Sequence, residues 1–249
     1  IDTKGGSFTS SGVNLTTSVA GLLLTGGGAV DLSGHTGAVL IQVNVLTEGG
    51  AFTSGGTTFN NTAGITTGGG AVAINNAGNI TLGSSVSTGG GTFTSSGADF
   101  DNTSGSITTA GGAVAINSTG AVTIGANVDA SGAGTGSITF DNAVTSISLG
   151  ADLEAGSGAN LSLGTNPVTL TAGATVETAG AGTITFGDTL TGGSNSLNVT
   201  TGTGLITFTG DVSGVSTMTV TGGSGGVTFS GAVDGVTALN VNDSTGTVA

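Results

Sequence analysis

The sequence predicts an all-β protein: a single-stranded parallel β-helix (a β-solenoid) of about 12 coils of about 20–22 residues. Three observations predict it. One stretch of the chain recurs, with Phe52 to Val86 reappearing in degenerate form as Phe93 to Val128. Short runs alternate apolar and polar residues with a period of two. Glycine clusters punctuate those runs at regular intervals. The expected domain is one continuous solenoid over residues 1–249.

The recurrence is clearest in residues 49–130. Phe52 aligns with Phe93 and Phe59 with Phe100. Val72 aligns with Val114, Ile74 with Ile116, Ile80 with Val122, and Leu82 with Ile124. Gly5-Gly6-Ser7-Phe8 opens a weaker earlier copy. Each 41–42-residue unit splits in two, because Gly-rich corners fall near 49, 68, 89 and 111. Over residues 131–243 the double coil decays into single coils, marked by Phe186, Phe208 and Phe229.

The alternation gives the strands. Ala71-Val72-Ala73-Ile74, Asn79-Ile80-Thr81-Leu82 and Ser196-Leu197-Asn198-Val199 each place apolar side chains on one face. Val, Ile, Thr and Phe favour strands. Helix formers such as Glu, Lys, Gln and Arg are nearly absent. Two or three such strands per coil, paired about 4.8 Å apart, predict a rod of roughly 55–60 Å. Interior ladders should form, with aliphatic neighbours above and below Val72 and with Phe186, Phe208 and Phe229 in one stack.

Composition narrows the function. Gly accounts for 52 of 249 residues, yet the chain is 36% hydrophobic and only 6% charged. Disordered chains are rich in charge and Pro and poor in β-branched residues, so this chain can build a core. The formal net charge is −13, and Lys4 is the sole Lys or Arg. Nucleic-acid binding needs many cations to neutralise phosphates. Attachment to an anionic membrane surface needs them too. No run approaches the 18 apolar residues of a membrane span, and the first residues do not read as a signal peptide. The chain starts and stops in mid-pattern, which reads as a mature product or a piece of a longer one. No Cys is present, so no disulfide is expected. A chain so poor in Lys and Arg offers trypsin-like proteases little to cut, which suits an exterior location.

The segments GAVAINNAGNITLGSSV, ending at Val86, and GAVAINSTGAVTIGANV, ending at Val128, resemble the passenger rods of filamentous-haemagglutinin-like exoproteins and other large repetitive bacterial surface adhesins. The resemblance spans nearly the whole chain and is compositional. It implies a right-handed β-helix at the bacterial cell surface. The secretion-domain motif of that family is not found in this sequence.

Few residues have the makings of a site. Asp99 and Asp101 flank Phe100 on an outer face, about 7 Å apart along the strand. With Asn102 they form the one candidate Ca²⁺ site; the competing reading is two solvated acids beside an inward Phe. Gly222-Gly223-Ser224-Gly225-Gly226 is followed by Val227 rather than the Asp of a calcium-binding nonapeptide repeat. Phosphate loops fail for want of a Lys. His35 stands alone, without the further ligands a transition metal needs, and reads as a loop or corner histidine. Thr-x-Thr pairs such as Thr183/Thr185 and Thr207/Thr209 raise ice binding, but they do not recur at one coil position through residues 49–130. Sequons at Asn14, Asn60, Asn79, Asn102, Asn117, Asn160, Asn198 and Asn242 are close to what so Asn-, Ser- and Thr-rich a chain gives by chance. No Arg is available for lyase chemistry, and the acids lie singly rather than as the convergent pair a hydrolase requires.

No enzyme, cofactor or nucleic-acid partner is therefore expected. The expectation is an extracellular structural or adhesive rod, a filament subunit or adhesin segment. Its open β-edges would stack end to end or continue into more chain. Cell-surface or glycan contact is a further option, and a glycan- or ice-binding module is the alternative.

Overall fold

A computed structural model describes residues 1–19 and 21–243. Among them there is no helix. Thirty-three short strands form three parallel sheets of eleven strands each. Successive strands of the chain go to the first, second and third sheet in turn, so each sheet gains one strand per coil. The chain is a β-solenoid with three strands per coil.

Eleven coils form where about 12 were expected. The reason is coil length. From Val72 to its partner Phe93 the numbering advances by 21, but from Val114 to Ile138 it advances by 24, and from Ile138 to Leu161 by 23. Extra residues in the corners consume chain without adding a rung.

Alternation sets the interior. In the first sheet the strand Phe52–Gly56 turns Phe52 and Ser54 inward, and the next, Val72–Asn76, turns Val72 and Ile74 inward. Register carries this along the axis: Phe52, Val72, Phe93 and Val114 form one column, and Ser54, Ile74, Ser95 and Ile116 another. Val72 thus lies between two phenylalanines, not between aliphatic residues as expected. The second sheet repeats the rule, with Phe59/Asn61, Ile80/Leu82, Phe100/Asn102 and Val122/Ile124. A coil with two Phe carries small or polar partners, and a coil with Val or Ile carries larger aliphatic ones. This volume exchange is the physical origin of the double coil, because a close-packed interior fixes the filled volume. Phe52 and Phe59 meet edge to face at 6.1 Å, as do Phe93 and Phe100 at 6.3 Å.

Beyond residue 131 the exchange ends. Phe186, Phe208 and Phe229 stack directly, 4.8 and 4.9 Å apart, as the sequence predicts. Each of their coils holds one Phe, so the rings can follow one another rung by rung.

The corner from the third sheet to the first has a four-residue form: Thr25 to Gly28, Thr47 to Gly50, Thr67 to Gly70, Thr88 to Gly91 and Thr109 to Gly112. The second residue is left-handed, with φ of 57° at Glu48 and 54° at Ala110, and the third is a Gly with φ between 101° at Gly27 and 119° at Gly69. That is a type I′ turn. The fourth Gly serves another purpose: a Cβ on Gly91 would collide with the carbonyl oxygen of Gly70 in the preceding coil. Each Thr is buried. The Thr67 hydroxyl reaches Gly70 O and, at 3.2 Å, Thr88 O of the next coil. The result is an internal hydroxyl ladder that satisfies corner carbonyls.

Candidate functional site

Outward side chains tie coil to coil. Asp99 Oδ1 accepts from Ala121 N–H at 2.8 Å, Asn127 Oδ1 from Asp152 N–H at 3.3 Å, and Asp152 Oδ1 from Thr175 N–H at 2.7 Å. Each of these bonds joins one coil to the next. Asp31, Asp99, Asp152 and Asp211 are thus acceptors that join neighbouring coils.

This bears on Asp99, Asp101 and Asn102. Phe100–Asp101 is a strand of the second sheet, and Asp99 immediately precedes it. Asp101 Oδ1 accepts from Thr103 N–H at 2.7 Å. Asn102 is buried. Its amide donates to Ala126 O at 2.8 Å, and its carbonyl accepts from Gly125 N–H at 3.1 Å. The two carboxylates share the outer side, while Asn102 turns inward and braces a corner.

His35 is not the loop or corner residue expected. It ends the strand Val30–His35 and is only 4% exposed. Nε2 lies 3.1 Å from Ser10 Oγ, and Nδ1 is buried without a partner. Val30–His35 runs on past its first two paired residues across a bulge, which carries the imidazole inward.

The outer face of the third sheet holds a carboxylate column that the sequence reading missed. Asp129 pairs in register with Glu154, and Glu154 with Glu177. Parallel strands place such side chains about 4.8 Å apart, so three like charges stand one above another. Two neighbouring grooves, of about 530 and 300 Å³, share Glu154 and Glu177, and Asp152 borders the smaller. Partial burial holds the Glu177 carboxyl above the usual range, aided by the negative charge of Glu154 and Asp152. By contrast, Asp31 is lowered by hydrogen bonds from the Ser33 hydroxyl and backbone and from the Thr53 hydroxyl. Among the described residues, no three His, Cys, Asp or Glu side chains converge as a metal site. The two steps of the column are unequal in length, so no fixed repeat would have aligned its members.

The first coil is the other distinctive region. Phe8–Gly12 and Leu15–Thr16 are edge strands of their sheets. Ile1 to Thr3 add a partial rung to the third sheet only, through hydrogen bonds to Leu22 and Leu24. Phe8 and Leu15 are only partly buried, whereas Val30 and Val39, their partners one coil inward, are 0% and 1% exposed. Ile1, Phe8, Leu15, Leu22 and Val43 line an apolar hollow of about 280 Å³. Ile1, Val13 and Val19 are 74%, 68% and 75% exposed. Val233 and Leu239, in the last described coil, are exposed as well.

The fold defines the class: a three-sheet parallel β-solenoid with ladder-stacked interior. No family model, curated protein or solved structure matches the chain.

Proposed function

We propose that this chain is a segment of an extracellular structural or adhesive rod, which extends by adding β-rungs at its first coil. The observation that carries the reading is the open first coil. Two of its three strands have unpaired backbone edges, and Phe8 and Leu15 are only partly buried where their partners one coil inward are fully covered. An unpaired, apolar strand edge is a template for further strands. Rung-on-rung pairing would hide Phe8 and Leu15 as Val30 and Val39 are hidden. The covering rung can come from more of the same polypeptide or from another copy.

Stiffness supports the reading too. Three sheets pair at every coil, so bending the rod strains them together. Backbone committed to ladders is a poor protease substrate, which suits the cell surface that the adhesin resemblance implies. Electron microscopy of the purified chain tests the proposal. Rods whose lengths are multiples of one chain support stacking, as does an N-terminally longer chain in which Phe8 becomes fully protected. Uniform short particles that keep a free first coil in both forms would overturn it.

A further inference from the structure

The three outer faces differ sharply in charge. The second sheet's strands and their leading residues carry Asp99, Asp101, Asp211 and Asp234. The third carries Asp129, Asp152, Glu154 and Glu177. On the first sheet the strands carry one carboxylate, Asp31 of the second rung, and none from residue 52 to residue 229. Its central outward column instead holds Thr53, Thr94, Thr139, Thr185, Thr207 and Thr228, with Ala73, Ala115 and Ser162 between them. These side chains are half-exposed. Register thus gathers threonines that lie at unequal spacings along the sequence, because coil lengths vary. Glu48, Asp141 and Asp188 fall at the corners that bound this face, as a charged rim around a neutral centre.

We propose that the outer face of the first sheet is the surface through which two copies of this chain pair side by side, antiparallel, about a twofold axis at Ala115. A chain of net charge −13 repels its own copies. This is the face on which two copies meet without pressing carboxylates together. Eleven strands at about 4.8 Å, each two to six residues long at about 3.3 Å per residue, offer about 700 Å² per partner, within the range of a standard specific interface. Flat faces of small and β-branched side chains pack at about 10 Å. Orientation follows from Asp31. Parallel packing would set it against its own copy, whereas antiparallel packing sets this second-rung residue against Thr207 of the tenth. Ala115, in the sixth of eleven rungs, then faces itself.

The chain has no cysteine, so single substitutions report cleanly. Ala115→Cys should cross-link to a dimer with a short bis-maleimide, and Thr123→Cys, outward on the second sheet of the same coil, should not. Sedimentation should give twice the chain mass, with a dimer fraction that rises with salt as self-repulsion is screened. Ala115→Glu should return the monomer with an unchanged circular dichroism spectrum, while Thr123→Glu leaves the dimer intact. If Ala115→Glu fails to fold, Thr139→Glu on the same face serves instead. Monomeric mass at every salt concentration overturns the proposal, and so does equal cross-linking at the two cysteines. Thermal hysteresis from a monomer would overturn it in favour of ice. Particle width in micrographs separates this pairing from end-to-end stacking. Rods of single width that still join at their ends would sink the lateral pair and leave the longitudinal reading standing.

Discussion

The coils before residue 130 and those after it solve the same packing problem differently. The early coils alternate: two edge-to-face phenylalanines with Ser and Asn, then Val and Ile with Ile and Leu. From residue 184 on the coils repeat: one Phe per coil, stacked on its neighbour at 4.8 or 4.9 Å. The corners differ in parallel. The early corner from the third sheet to the first is a continuous Thr hydroxyl ladder over a type I′ turn, while Ala130 and Ala155 interrupt it further on before Thr178 and Thr201 return. A solenoid therefore constrains the volume of each cross-section more tightly than the residue at any position. Close copies are needed only where two large side chains share a coil.

The largest expected effect breaks the early arrangement. Phe93→Val should open a cavity and cost about 3 kcal/mol, and Ser95→Ile alone should overpack by about 2 kcal/mol. The double variant turns a Phe/Ser strand into a Val/Ile one, so its cost should fall well below the sum. Hydrogen exchange in residues 52–118 gives the local free energies, since a repeat array need not melt in one step. Additive losses would refute the volume exchange. Phe208→Ala, in the later half, should cost about 4 kcal/mol, and no single polar-to-aliphatic change in its strand should rescue it.

Next come two adjacent glycines. Gly91→Ala should cost about 3 kcal/mol, because its Cβ meets the Gly70 carbonyl and neither backbone can yield. Gly90→Ala meets nothing within 4 Å and suffers only from its φ of 112°, so about 1 kcal/mol is expected. Denaturation midpoints of the pair would separate close approach from backbone strain.

The corner ladder should yield a smaller effect. Thr67→Val keeps the shape and removes the hydroxyl from two carbonyls, for a loss of about 1–2 kcal/mol. Thr201→Val removes a bond to Gly204 O alone and should lose less. Equal losses would mean that the ladder adds nothing in the early half.

The smallest effect is the pH response of the carboxylate column. Glu177 has a raised pKa in the fold, so its ionisation opposes folding above that value. Acidification from neutrality toward the usual Glu range should stabilise the coils around 153–178. Glu177→Gln should abolish that gain and add no more than about 1 kcal/mol at neutral pH, given solvent screening. Asp31 has the opposite sign: its lowered pKa adds stability above the usual Asp range that is lost as pH falls through its folded value. Exchange followed from neutral pH down toward the usual Glu range should thus show protection rising near Glu177 while that near Asp31 holds.

Much of this was legible without coordinates. Period-two runs such as Ala71 to Ile74 specify strands with one face inward, and glycine clusters at regular spacing specify corners. Together they determined the solenoid and even the Phe186–Phe208–Phe229 stack. Both signals rest on local chemistry and a repeat, which a sequence carries whole. What only the tertiary structure decided was the register along the outside. Coils of unequal length slip any fixed period, so Asp129, Glu154 and Glu177 look scattered until pairing brings them into one column. The same slip hid the threonine column of the first sheet, while a strand bulge rather than coil length buried His35. Interior residues declare themselves because water rejects them one by one; outer residues share a face only after every corner between them has been counted.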